Sequence, residues 1–281
     1  MGMPMARLVL PHHPLTVFDR DGGRVAQLVA EGAQAAASAA AAAEGADAVI
    51  VMVATPAQLD DALFGEDGVH KGISAGATVI LMSSVGVESA VGAARRLDPI
   101  GVRLVDAPVT GGVARAVTGE LTILVGAEPA ALGPVLPLLQ LMAAKVANCG
   151  GRVGDGQAVK LVNQLLCSVH LAAAAEGLHF ARRLGLDPAR VLATIESGAA
   201  ASFMLSDRGP RMLVEEPTPV LSAVDIFVKD SSLVLASARA VGAATPLTEQ
   251  ANRLFAHAGR YGLGRSDDSS VIRVFEQESV R

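Results

Sequence analysis

The stretch MGMPMARLVLPHHPLTVFDRD, residues 1–21, decides the fold. Its end, LTVFD (15–19), reads as a short strand closed by an acid, and MPMARLVL (3–10) reads as a helix. Pro11 should stop that helix early, because proline lacks an N–H and its ring clashes with the preceding turn. Met1-Gly2 reads as the last step of a glycine turn. Strand, glycine turn, helix, strand and acid is the order of a dinucleotide-binding unit, and everything from the end of the turn onward is present. Asp19 could accept hydrogen bonds from ribose hydroxyls and repel a 2′-phosphate, which favours NAD; Arg20 beside it softens the discrimination and leaves NADP possible. The plainer alternative is that Asp19 caps a turn before Gly22-Gly23.

Working outward, helices and strands alternate. RVAQLVAEGA (24–33), SAAAAAEGA (38–46), AQLDDALFG (57–65) and VESAVGAARRL (87–97) read as helices. DAVIVMVA (47–54), ATVILMSS (77–84), VRLVDAPV (102–109) and LTILVG (121–126) read as apolar strands of the kind buried on both faces. Such alternation predicts a doubly wound parallel sheet, a Rossmann-type α/β fold without its first strand.

From about Gly156 the period becomes helical and strand signals stop. GQAVKLVNQLLCSVHLAAAAEGLHFARRLG (156–185) predicts one long helix closed by Gly185. Helices are also expected over 187–197, where Asp187-Pro188 supplies an N-cap and a first-turn proline, and over 202–213, with a break near Gly209-Pro210. Further helices are expected over 224–242, 246–262 and 268–277. The expected domains are an N-terminally truncated nucleotide-binding domain over 1–153 and an all-helical domain over 154–281.

Composition narrows the function. With 281 residues, 51% hydrophobic and 18% charged, the chain can bury a sizeable core. A net charge of −5, no Trp and one Tyr argue against a nucleic-acid partner. Mean hydropathy is +0.42, but the longest apolar run carries Asn163, Gln164, His170, Glu176 and His179, so it reads as a buried helix of a soluble protein. Two lone thiols, Cys149 and Cys167, fit a reducing, cytoplasmic setting. The six histidines show no metal-binding spacing, and no GxSxG nucleophile turn occurs, so neither a metal nor covalent hydrolysis is expected.

Three segments could carry chemistry. In DAPVTGG (106–112), Gly111-Gly112 would let backbone N–H groups approach an anion and Thr110 adds a hydroxyl, though Gly-Gly is also common at ordinary strand ends. In GQAVKLVNQ (156–164), Lys160, Asn163 and Gln164 share one helix face. A partly desolvated lysine can shuttle a proton, and oxidising an alcohol by hydride transfer needs such a shuttle; a lysine snorkelling to water is the plain alternative. VDIFVKDSS (224–232) places Lys229-Asp230 inside an apolar helix, as a local charge pair or a second cation for the site.

The order of these pieces is more specific than any one of them. MGMPMA, TVFDRD, LMSSV, DAPVTGG with TGELTILVG, GQAVKLVNQLL, VDIFVKD and DDSSVIRVFE run in sequence across nearly the whole chain. They closely resemble the β-hydroxyacid dehydrogenase family, which includes 3-hydroxyisobutyrate dehydrogenases and tartronate semialdehyde reductases. KLVNQLL, SAVDIFVKD and DDSSVI look most like its L-threonate dehydrogenase branch. The resemblance implies an NAD-dependent oxidoreductase acting on a small hydroxy acid. Lys160 would be the general acid/base; Thr110, Gly111 and Gly112 would bind the substrate carboxylate; Asn163, with Gln164, would orient the substrate. Gly2, Asp19, Arg20, Val53, Ala54, Ser84, Lys229 and Asp230 would line the cofactor. The helical domain would make a homodimer or homotetramer. The alternative activities are 3-hydroxyisobutyrate dehydrogenase and 2-hydroxy-3-oxopropionate (tartronate semialdehyde) reductase.

Departures from the family pattern matter too. Thr110 replaces a common serine, Gln164 a common asparagine, and Ser231-Ser232 small or apolar residues, the last without explanation from sequence. Gly2 matches the third glycine of G-x-G-x-x-G, and the preceding strand and two glycines, roughly ten residues, have no counterpart. The expectation is a natural protein with an earlier start, and weak NAD binding by these 281 residues. A rival reading is a non-catalytic, dimeric binding protein with a defective cofactor site.

Overall fold

The computed structural model describes residues 1–214 and 219–278. The chain divides into two compact units, Met1–Lys160 and Leu161–Arg281. The first is a Rossmann-type α/β unit and the second is helical.

In the first unit the elements are α1 (Gly2–Val9), β1 (Thr16–Val17), α2 (Gly22–Ala30), β2 (Gln34–Ala35), α3 (Ala39–Ala43), β3 (Ala48–Val51), α4 (Pro56–Phe64) and β4 (Thr78–Leu81). There follow α5 (Val87–Leu97), β5 (Arg103–Asp106), β6 (Val109–Thr110), α6 (Gly112–Thr118), β7 (Leu121–Gly126), α7 (Pro129–Leu132), α8 (Leu136–Gln140) and β8 (Ala143–Gly150). Helix α1 ends with Leu10 as its C-cap, one residue before Pro11, as expected.

Strand β4 shows why this unit folds. All four of its residues are buried. Val79 and Leu81 enter one core with Leu63, Ala90 and Leu97, whereas Ile80 and Met82 enter the other with Met5, Val105 and Ile123. A strand alternates its side chains across the sheet, so an unbroken apolar run feeds two cores at once.

The sheet departs from expectation in three ways. Strands β3, β4 and β5 are parallel, but β7 runs antiparallel to both β5 and β6. A parallel return needs a crossover of roughly a dozen residues or more, and only residues 111–120 separate β6 from β7. Strand β8, which no sequence signal marked, adds parallel to β7 over 143–150. Finally, β1 and β2 form a two-stranded parallel sheet of their own, apart from the six-stranded one. Strand β3 is accordingly only partly covered over Ala48–Ile50, unlike β4.

The long helix α9 (Asp155–Arg183) begins in the first unit and continues into the second. The second unit adds α10 (Pro188–Ile195), α11 (Phe203–Met212), α12 (Val224–Ala240), α13 (Pro246–Ala258) and α14 (Arg273–Glu278). Helix α11 runs through Gly209 and Pro210, contrary to the expected break, although Pro210 has no N–H to bond one turn back. Leu171, Leu178, Leu205, Phe227 and Phe255 share the core.

Helix α9 also corrects an expectation. It is long and apolar enough to cross a membrane by length and composition, and only 28% of its apolar window is buried. Val162, Leu166, Phe180 and Leu184 stand 48–60% exposed at helical spacing, so the helix is half-covered rather than buried.

The two unexplained serines have partners here. Buried Ser231 donates to the Phe227 carbonyl, and Asn252 of α13 donates to both Ser231 Oγ (2.8 Å) and Ser232 Oγ (3.0 Å). Hydroxyls in place of apolar groups thus tie α12 to α13.

Candidate functional site

In the first unit the candidate residues gather at the C-terminal ends of the parallel strands, where open α/β sheets bind ligands. Past β3, the Val53 N–H donates to Ser83 Oγ (2.6 Å) and the Ala54 N–H to Gln58 Oε1 (2.8 Å). Thr55 caps α4 by accepting from the Gln58 N–H. With those amides taken, Val53 and Ala54 offer side-chain and backbone surface rather than N–H donors. Past β4, Ser83 is buried and Ser84 half-buried.

The β6–α6 turn has the geometry that its glycines demand. Gly111 and Gly112 have φ of +129° and +73°. A Cβ on Gly111 would lie 2.9 Å from Arg115 Cδ, whereas a Cβ on Gly112 would meet nothing within 4 Å. Gly111 is therefore fixed by packing, and Gly112 leaves backbone open beside half-buried Thr110.

Asp19, just past β1, is half-committed. Its Oδ1 accepts from the Asp21 N–H (2.8 Å), the plain turn-forming role, while Oδ2 lies 3.5 Å from Arg24 Nη1. Arg20 pairs with Asp61. Gly2 opens α1, whose N-terminus has no side-chain cap. The N-terminal amine of Met1 is held below its ordinary pKa by burial and, after that, by Arg24. An uncapped helix start, an acid after β1 and loops after β3 and β4 are the features that the sequence expectation assigned to the cofactor.

Lys160 lies on α9 and is 8% exposed. Asn163 and Gln164 follow on the same helix face and are half-buried. Asn163 Nδ2 donates to Gln164 Oε1 (2.8 Å) and reaches Cys167 Sγ (3.5 Å), and Gln164 Nε2 donates to Asp230 Oδ2 of α12. Asp230 Oδ1 in turn lies 2.8 Å from Lys229 Nζ. The Lys229-Asp230 pair is thus more than a local surface pair: its acid reaches across to α9.

Two features escaped sequence reasoning. Asp106, at the end of β5, and Gln157, on the first turn of α9, are 0% and 1% exposed and hydrogen-bond to each other. Burial pushes the Asp106 carboxyl up to about 6, against N–H donors from the Gln157 side chain and backbone, Gly154 and Gly156. The signal was available as Asp106 ending an apolar strand. In the second unit, DDSSVI forms a structural latch. Asp267 accepts from Leu221 N–H (2.9 Å), Ser269 Oγ (2.6 Å) and Arg211 Nη1 (2.8 Å). Asp268 pairs with Arg208 at 3.1 Å. Among the described residues, no group of three or more His, Cys, Asp and Glu could hold a metal ion.

Comparison with known proteins identifies both parts of the chain. Residues 1–151 match the family model for the NAD binding domain of 6-phosphogluconate dehydrogenase. Residues 154–275 match the model described as NAD-binding of NADP-dependent 3-hydroxyisobutyrate dehydrogenase. The chain is 37% identical to the L-threonate dehydrogenase of Haemophilus influenzae, over 95% of this chain and 89% of that protein. It is 34% identical to the 2-hydroxy-3-oxopropionate reductase of Escherichia coli, over 98% and 94%. A crystal structure of a 3-hydroxyisobutyrate dehydrogenase from Salmonella typhimurium superposes with a TM-score of 0.89 at 36% identity, covering 97% of this chain and 95% of that one.

Proposed function

Because the chain belongs to the β-hydroxyacid dehydrogenase family, with its NAD(P)-binding domain, we propose that it oxidises the hydroxyl of a small hydroxy acid, L-threonate foremost, with Lys160 as general base. The observation that carries the reading is the burial of Lys160 on an α9 face that continues through Asn163 and Gln164. A lysine amine on the face that meets the substrate can take the hydroxyl proton as hydride leaves.

In this reading Thr110 Oγ and the open backbone at Gly111-Gly112 hold the substrate carboxylate. Asn163 and Gln164 orient its hydroxyls. Lys160 Nζ takes the hydroxyl proton as the carbinol loses hydride, and returns it to the carbonyl oxygen in the reverse direction. The bound NAD, or NADP, supplies the hydride acceptor. Gly2, Asp19, Arg20, Val53, Ala54, Ser84, Lys229 and Asp230 would hold it. The alternative readings are oxidation of 3-hydroxyisobutyrate and reduction of the 2-hydroxy-3-oxopropionate aldehyde, in which hydride runs from the reduced cofactor to the carbonyl carbon and Lys160 gives the proton to its oxygen.

The experiment follows NADH formation with L-threonate and 3-hydroxyisobutyrate and NADH consumption with 2-hydroxy-3-oxopropionate, alongside an NADH titration. Lys160→Ala should lower turnover by about 10²- to 10⁴-fold with NADH affinity nearly intact. Near-normal turnover in the variant removes Lys160 from the mechanism. A folded chain that binds no NADH returns the protein to the class of non-catalytic, dimeric binding proteins, and the separate β1–β2 sheet next to Asp19 is the feature that favours this second reading.

The assembly reading rests on α9. Its open Val162, Leu166, Phe180 and Leu184 support a second copy as their cover, in a cytoplasmic homodimer or homotetramer. Sedimentation equilibrium should return at least twice the 28.6 kDa chain mass; a monomer at micromolar concentration defeats this reading.

A further inference from the structure

The buried Asp106–Gln157 pair has no role in the chemistry above, yet it joins three segments that do. Asp106 Oδ2 accepts from the backbone N–H groups of Gly154 (3.0 Å) and Gln157 (2.9 Å), at the start of α9. Its Oδ1 accepts from Gln157 Nε2 (2.8 Å). The same Nε2 donates to the Ser83 carbonyl (2.9 Å). Gln157 Oε1 accepts from the N–H groups of Val85 and Gly86, both at 3.0 Å. Both amide hydrogens and the amide oxygen are thus engaged, and only one orientation of the amide satisfies all four contacts. Glycine makes the approach possible: a Cβ on Gly156 would lie 2.3 Å from the Leu124 carbonyl oxygen and 3.0 Å from Asp106 Oδ2.

We infer that Asp106 and Gln157 are positioning residues that set the rotation of α9 and thereby aim Lys160 at the substrate hydroxyl. The inference rests on the proposed role of Lys160. Lys160 is three residues beyond Gln157, one turn along the helix, so rotating the first turn swings both together. Gln157 pins that turn to the 83–86 loop, which carries Ser84. Asp106 pins it to the end of β5, four residues before Thr110. The cofactor loop, the carboxylate turn and the proton acceptor are therefore registered through two side chains that touch neither ligand.

The hydrogen-bond directions give the test. Asp106→Asn turns an amide N–H toward Gln157 Nε2, a clash of two donors. Gln157→Glu sets a carboxylate against Asp106 and the Ser83 carbonyl. The double variant restores one donor–acceptor pair, with its direction reversed. Each single variant should lower kcat by about 10- to 100-fold, since misplacement by about 1 Å costs that much, with NADH affinity within about threefold. The double variant should recover at least about fivefold over the poorer single, as coupled residues do.

A readout independent of turnover accompanies this. The chain has four lysines, Lys71, Lys145, Lys160 and Lys229, so 13C-lysine labelling gives four resolvable ε-methylene signals. Asp106→Asn should move the Lys160 signal and leave those of Lys71 and Lys145 in place. Single variants that keep kcat within about twofold, or a Lys160 signal that does not move in a folded variant, overturn the inference. Losses that multiply in the double variant also overturn it, since they describe two independent structural contacts. Lys160→Ala, measured beside them, separates the two claims. If it stays active the proton-transfer reading fails; if it is inactive while Asp106→Asn is normal, only the positioning inference fails.

Discussion

Two buried acidic sites in this molecule solve the same problem in opposite ways. Asp106 is surrounded by neutral donors: the backbone N–H groups of Gly154 and Gln157 and the Gln157 amide. Asp267 and Asp268 face cations, Arg211 and Arg208, besides their backbone and hydroxyl donors. The consequences diverge. Burial wins at Asp106 and its carboxyl rises to about 6. At Asp267 burial is outweighed by the Ser269 hydroxyl, the Leu221 and Ser269 N–H groups and Arg211, and the carboxyl sits below its ordinary value. Asp268, deeper still, is pushed up by burial despite Arg208. The latch pairs its carboxyls with arginines, whereas Asp106 sits among neutral donors with its carboxyl raised to about 6.

The harshest way to break this comparison is to remove an acid from the latch. Asp267→Ala takes from the Arg211 guanidinium, whose side chain is only 15% exposed, its nearest carboxylate, leaving Asp207 and Asp268 at 3.4 Å, and leaves the Leu221 N–H and the Ser269 hydroxyl without their acceptor. Losing one partner of a buried pair costs about 3 kcal/mol or more, so urea unfolding should show at least that loss in the helical unit. A loss below about 1 kcal/mol would reduce the latch to a surface-like pair.

A finer test uses pH. The folded pKa of Asp106 lies above its unfolded value of 3.8, so between 3.8 and about 6 the native state binds more protons than the unfolded chain. Stability from this group is fullest below pH 4 and is lost as pH rises through 6, by about 3 kcal/mol for a shift of about two units. Asp267 has the opposite sign: its contribution is present above pH 4 and is lost as pH falls further. Asp106→Asn should flatten the slope between pH 4 and 6 while leaving the acid limb below pH 4. Cys149 feels the Asp106 charge, its thiol being pushed up by burial, then by Asp106. An unchanged slope in Asp106→Asn would assign it elsewhere.

What could be read from sequence followed the range of the interaction. VESAVGAARRL (87–97) was legible to the residue, because helical periodicity is local and Gly86 precedes it. TVIL in β4 was legible because burial on both faces leaves an unbroken apolar run. Strand β8 was not: AAKVANCG is mixed in polarity, and only pairing with β7 makes it a strand. The antiparallel β7 was hidden for the same reason, since direction is a property of the partner. Among the candidate residues, Lys160, Asn163 and Gln164 stood out as polar groups on an apolar helix, and contacts link Asn163 and Gln164 through Asp230 to Lys229. Gln157 did not stand out, because its importance comes from Ser83, Val85, Gly86 and Asp106, which local spacing cannot connect to it.

Those same contacts set an order of events. The bonds from Gln157 to Val85, Gly86 and Ser83 span 72, 71 and 74 residues, and its bond to Asp106 spans 51. Each loop must close before its bond can form, and bonds between distant residues form slowly for that reason. During synthesis the strands from β3 to β7 can pair as soon as they emerge, but the corner beneath Lys160 stays undone until residue 157 has followed them out. The sheet itself is complete only when β8 has followed at Gly150, and the first turn of the long helix, next along the chain, is the piece that finishes the unit.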